Sequence, residues 1–185
     1  MTSLEKLKGE QVHTRSIRIE TYTVDEQRVI VEGTLEDMRL QPIFTIAKQR
    51  RDAGKVHGMV VRLLLGGMPT EILDAEAEMP TVPLDACRQA IDSVKGLIGM
   101  PIVYGFTKAA KDRMISTEGC NHLTGLMLTM GSVAVQGMAA NRGKTPPPPE
   151  AREMMLEYVK DTCCVWRGDS EHYKKTLEEI RNQKK

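Results

Sequence analysis

The chain has 185 residues, 41% of them hydrophobic and 28% charged, which allows one sizeable core and excludes a largely disordered chain. Lys and Arg number 26 against 25 Asp and Glu, and aromatic residues make up 4%. That balance gives neither the positive field nor the stacking platforms of a nucleic-acid binder, so no nucleic-acid partner is expected.

Residues 1–10 are polar and charged, with no apolar signal core. No run approaches the ~20 apolar residues of a membrane span. The cytoplasm is therefore the expected compartment, and no membrane partner is expected.

Residues 15–22 alternate, with Ile17 and Ile19 on one face and Ser16, Arg18 and Glu20 on the other. A turn at Asp25 and Glu26 leads to a second strand, from Val29, Ile30 and Val31 through Gly33 to Leu35. Residues 41–56 give no clear period; Ile43, Phe44 and Ile46 precede a basic, loop-like stretch over 48–55. Residues 57–65 predict a third strand, Gly66-Gly67-Met68-Pro69 a hairpin turn, and residues 70–79 its partner strand. In that partner Leu73, Ala75, Ala77 and Met79 are expected opposite Asp74, Glu76 and Glu78.

After Pro80 and Pro83 the period becomes helical. Cys87, Ile91, Val94 and Ile98 lie on one face of a helix closing at Gly99. A short apolar run (102–106) and a basic loop lead to a second helix over about Glu118 to Asn141. Its buried stripe is Leu123, Met127, Met130, Ala134 and Met138, and Gly125, Gly131 and Gly137 predict close packing against another element. Four successive prolines (146–149) make a stiff connector. Helices over 150–161 and from Ser170 follow, and they are expected to dock through Met154, Met155, Tyr158 and Trp166. The organisation is thus an α+β domain over 1–142, a connector over 143–149 and C-terminal helices over 150–185. An antiparallel sheet in the first half is expected to be covered by helices.

The chain has four cysteines. With no export signal, free thiols or metal ligands are favoured over disulfides. His57, Cys87, Cys120 and His122 stand out as candidate metal ligands, because each sits where an element starts. A helix N-terminus favours the thiolate, and thiolates with neutral imidazoles suit zinc or iron. The bland alternative is that Cys87 and Cys120 are small buried hydrophobes. Glu76 with Glu78 form a second candidate pair, as acid and base. Arg15, Arg18 and Arg39 are candidates to clamp a carboxylate. Gly66 and Gly67 have no phosphate-loop lysine after them, so nucleotide binding is unsupported.

The stretch Val31-Glu32-Gly33-Thr34-Leu35-Glu36-Asp37, with His57-Gly58-Met59, Cys87, Gly119-Cys120-Asn121-His122-Leu123 and Cys164-Val165-Trp166, resembles the bacterial domain of unknown function 2889. That family carries no settled activity. Residues 57–137 also resemble, remotely, the iron–sulfur scaffold proteins of the IscU/NifU type. Those place a ligand before a strand, a Cys-led helix after a hairpin, and a His/Cys pair at the opening of a later helix. Here the scaffold Cys-Gly-Asp is replaced by His57-Gly58-Met59, and Asn121 separates Cys120 from His122. The resemblance implies that the four candidates converge at one end of the sheet.

The leading expectation is a metal-binding protein using a Cys/His site for zinc or iron, with an iron–sulfur cluster as a further option. It would be a metal or cluster accessory, or a small metalloenzyme. The alternatives are an enzyme with Cys120 as nucleophile and His122 or His57 as base, and an interaction module with buried cysteines. An unidentified small molecule or partner protein is the expected partner, and a homo-oligomer stays open.

Overall fold

Alternation in the first half becomes one antiparallel sheet. In the computed structural model, which describes residues 2–115 and 119–183, the strands are β1 (His13–Thr23), β2 (Val29–Arg39), β5 (Gly54–Gly66) and β6 (Glu71–Thr81). Their order across the sheet is β1-β2-β5-β6. The stretch without a clear period holds a separate small hairpin, β3 (Ile43–Phe44) with β4 (Arg50–Arg51).

Period-two burial sets the core face. On β2, Val29, Val31 and Leu35 are buried, joined by Val61, Leu63 and Leu65 of β5. The β6 pattern departs from simple alternation. Leu65 pairs with Ile72 and Leu64 with Asp74, so Leu73 is the extra residue of a bulge and sits 37% exposed. Ile72 takes the core position in its place.

The helical half covers that face. Residues 85–97 form a 3-10 segment (Asp85–Leu97) rather than the expected α-helix. With three residues per turn the packed row runs through Ile91, Val94 and Leu97, while Ile98 is exposed. The expected basic loop is instead helix α1 (Phe106–Met114), where Phe106, Ala110 and Met114 recur every four residues and are buried. Lys108 and Asp112 pair across one turn on its outer side.

The second predicted helix is α2 (Asn121–Arg142); its expected start, Glu118, lies outside the described residues. By length and composition α2 is apolar enough to span a bilayer, which the sequence reading did not anticipate. In this fold Leu123, Met127, Met130, Ala134 and Met138 pack it onto the sheet. Three glycines govern how closely. A Cβ at Gly33 of β2 would lie 2.6 Å from Met130 Sδ, and one at Gly137 would lie 2.4 Å from Thr21 Oγ1. A Cβ at Gly131 would meet the Phe106 ring at 2.6 Å, whereas Gly125 faces open space.

Helices α3 (Pro149–Val159) and α4 (Glu171–Asn182) pack chiefly on each other, burying Leu156 and Tyr173. Of the four expected anchors, Tyr158 reaches the main body, donating its hydroxyl proton to the Ile102 carbonyl. Met154 and Met155 are exposed. Trp166 is half-buried, its ring edge-on to His172 at 4.7 Å, so its contact is local.

Candidate functional site

The alternation of β2 places a charged residue where the next apolar one belongs. Val29, Val31, Gly33 and Leu35 face the core, and by the same parity so does Asp37, which is 2% exposed. Its register neighbours are Arg15 on β1 and His57 on β5. Directly opposed residues project from the same face, so Arg15, Asp37 and His57 form one row across three strands. A bulge at Val56 follows: Asp37 pairs with His57 but Met38 pairs with Lys55. The ladder kinks beside the row, as bulges near functional sites often do.

The contacts are tight. Arg15 donates Nε to Asp37 Oδ1 and Nη2 to Oδ2, both at 2.6 Å, the two-pronged geometry that matches a carboxylate. His57 Nδ1 lies 2.9 Å from Oδ2. Because an ionised carboxylate only accepts, the imidazole donates through Nδ1. His13 Nε2 sits 3.7 Å from Oδ1 on the more exposed side. The Arg15 hydrogen bond, more than any other contact, holds the Asp37 carboxyl below the usual carboxylate range against the opposing effect of burial.

Helix α2 brings the remaining group. Its N-cap, Cys120, is extended, and His122 in the first turn lands over His57 with ring centroids 3.8 Å apart. His122 Nε2 lies 3.9 Å from Asp37 Oδ2. Burial pushes the His122 imidazole below its ordinary pKa, and the neighbouring His57 and Arg15 add to the effect. His122 is therefore neutral at neutral pH, with a lone pair available.

Asp37, His57 and His122 each offer a ligand atom, all within 4.8 Å of one another. Around a tetrahedral ion with bonds of about 2.0–2.1 Å, ligand atoms sit roughly 3.3–3.4 Å apart. The separations to Asp37 Oδ2 are 2.9 Å from His57 Nδ1, which donates a hydrogen bond here and would give up that proton to take an ion, and 3.9 Å from His122 Nε2. Arg15 supplies the positive charge that the carboxylate needs when no ion is bound. A buried ion pair stabilises a fold no better than a packed apolar pair, so folding alone does not account for a carboxylate here.

Of the residues singled out from sequence, His57 and His122 belong to this group. Cys120 adjoins it, with Sγ 3.8 Å from His122 Nδ1. Cys87 lies half-buried in the 3-10 segment, outside the Asp37–His57–His122 group. Asp37 was not singled out from sequence; its parity with Val29, Val31 and Leu35 was the signal that could have found it. Arg15 does clamp a carboxylate, the protein's own. Glu76 and Glu78 both pair with Arg62 on the uncovered face of the sheet, at 3.1 and 2.5 Å, alongside Glu32. Those pairs hold the Arg62 guanidinium protonated beyond its usual range. With a saturated partner, neither glutamate stands as a free acid or base.

The group opens into a pocket of about 450 Å³. The register partners His13 and Arg39 line it together with Val12, Arg15 and the segment leading into β3.

Fold and site together define an α+β protein with a one-sided antiparallel sheet, whose core row ends in a buried carboxylate flanked by arginine and two histidines. Residues 13–136 match the family described as protein of unknown function (DUF2889), and the chain belongs to that family. The match runs from the first residue of β1 into α2 and includes every residue of the Arg15–Asp37–His57–His122 group. No curated protein and no solved structure matches the chain.

Proposed function

We propose that this protein binds a single zinc or ferrous ion through Asp37, His57 and His122, as a metal accessory or a small metalloenzyme. The observation that carries the reading is the mutual approach of the three ligand atoms within 4.8 Å. Two imidazoles with one carboxylate suit zinc or iron over magnesium or calcium, and three protein ligands leave a coordination position open. All three residues line the pocket, so a substrate bound there would be within reach of an ion they held. Likeness to iron–sulfur scaffolds would add Cys87 and Cys120 as ligands. Clusters ordinarily take thiolates, and the sulfur adjoining this group is that of Cys120, which favours a single ion.

The test is metal analysis of protein purified without chelator, then anaerobic titration of the stripped protein with Zn(II) and Fe(II). One ion per chain is expected, with most of it lost in His57→Ala and in His122→Ala. His122 is partly exposed in the first turn of α2, so its replacement leaves the core intact. Cys120→Ser and Cys87→Ser separate this centre from the four-ligand Cys/His set: the three-residue centre survives both. Equal binding by wild type and His122→Ala would overturn the proposal.

A second reading rests on the 3.8 Å approach of Cys120 Sγ to His122 Nδ1. A neutral imidazole beside a thiol is the pairing of a cysteine nucleophile with its base. Alkylation of Cys120 that slows on His122→Ala, in protein that holds no metal, would favour it.

A further inference from the structure

The pocket has a chemical character of its own, distinct from the ligand group at its floor. Its charged wall is made of donors. Arg15 and Asp37 neutralise each other, with both carboxylate oxygens already accepting from the guanidinium. That leaves Arg39 lining the pocket with no carboxylate of its own among the described residues, beside its register partner His13, whose Nε2 lies 3.7 Å from Asp37 Oδ1. Arg39 spends Nη2 on the Asp52 carbonyl at 2.8 Å, while its Nε is buried with no hydrogen-bond partner among the described residues. Arg39 lines the pocket, and a guanidinium fork matches the geometry of a carboxylate. Apart from Gln41, the remaining wall is apolar: Val12, Pro42, Ile43 and Val56. At about 450 Å³ the volume lies within the range of small-molecule sites and is too confined for a folded partner.

We infer that this pocket binds a small organic acid, its carboxylate on Arg39 and His13 and its apolar body between Val12, Pro42, Ile43 and Val56. Inorganic phosphate shares the anionic charge but would leave the apolar wall without a partner. A neutral analogue would leave the Arg39 guanidinium without a counter-charge. The inference rests on the pocket wall and does not require a bound metal.

Benzoate is a suitable probe, carrying one carboxylate on one apolar ring. Titrations of chelator-treated, full-length protein, followed by calorimetry or by protein NMR shifts, should show saturable benzoate binding. Benzamide and inorganic phosphate should bind at least tenfold more weakly, and Arg39→Met should weaken benzoate by roughly ten- to a hundredfold. Arg39→Lys should restore part of the loss. Ile43 is 44% exposed, so Ile43→Glu is safe for folding and should also weaken benzoate. Absence of saturable binding, phosphate binding as well as benzoate, or full benzoate affinity in either Arg39→Met or Ile43→Glu would each overturn the inference. Because the protein is stripped of metal, the outcome is independent of the metal titration.

Discussion

Arg15→Met isolates the buried carboxylate and puts numbers on it. The substitution keeps much of the side chain's length but removes both donors to Asp37, whose side chain is 3% exposed. Losing one partner of a buried pair costs about 3–5 kcal/mol. Two features lower that figure here: Arg15 is itself 41% exposed, and His57 still donates at 2.9 Å. A loss of about 2–3 kcal/mol in chelator-treated protein follows, a fall in Tm of roughly 5–10 °C for a chain of this length.

The pH dependence has a definite sign. The folded pKa of Asp37 is depressed, chiefly by Arg15. Its contribution is therefore present above the ordinary carboxylate range and lost as pH falls through the folded value. The gap between wild type and Arg15→Met should be full at pH 7 and close in strong acid. Metal should act in the opposite direction, because Arg15 competes with an ion for the same two oxygens. Zinc should raise the Tm of Arg15→Met by more than it raises that of wild type. Urea or thermal melts at pH 7 and below pH 3, with chelator or zinc, measure all of this. A chelated Arg15→Met within about 0.5 kcal/mol of wild type at pH 7, the usual scatter of surface substitutions, would refute the reasoning.

The helix glycines should split in sign: Gly125→Ala, facing open space, should stabilise by about 0.5–1 kcal/mol, whereas Gly137→Ala, against Thr21, should lower the Tm; denaturant melts of the pair settle it. Asn141 accepts from Thr23 Oγ1 and donates to the Asp25 carbonyl, both at 2.8 Å, so Asn141→Leu, which removes two bonds whose other partners are exposed, should cost about 0.5–1.5 kcal/mol in a denaturant melt. In native protein, Cys163 and Cys164, which are exposed, should alkylate before the half-buried Cys87 and Cys120, as peptide mapping after brief iodoacetamide treatment would show. Trp166 emission should fall between buried and free tryptophan and shift to the red in His172→Ala, since the ring's recorded partner is His172; an unchanged spectrum would count against that contact.

Much of the sheet was legible because burial on one face favours a period of two, clearest in β2, whereas β5 reads as a run rich in Val and Leu and β6 loses its phase at the Leu73 bulge. The helical half was harder. A 3-10 segment and an α-helix share short apolar spacings, and the choice between Leu97 and Ile98 as a core residue turns on residues per turn. Helix α1 was hidden by its charged surface residues, although Phe106, Ala110 and Met114 keep a regular four-residue spacing. His57 and His122 were singled out as residues at element starts, which holds for His122 in the first turn of α2 but not for His57, which lies inside β5 because that strand begins at Gly54. Grouping them required knowing that β2 lies between β1 and β5, and strand neighbourhood is a tertiary fact. Asp37 was readable in principle: a carboxylate in phase with three buried aliphatic residues is either an error of register or a site.

The stretch between Arg39 and Gly54 forms its small β3–β4 hairpin outside the main sheet. Arg15 and Asp37 are already paired across β1 and β2 before the chain enters that stretch, and β5 resumes the ladder directly after it, bringing His57 into the row. One wall of the pocket is therefore an excursion that the core does not depend on. Its length and side chains are free to diverge while the carboxylate and imidazoles stay in place. One scaffold can thus present an unchanging floor to a succession of differently shaped guests.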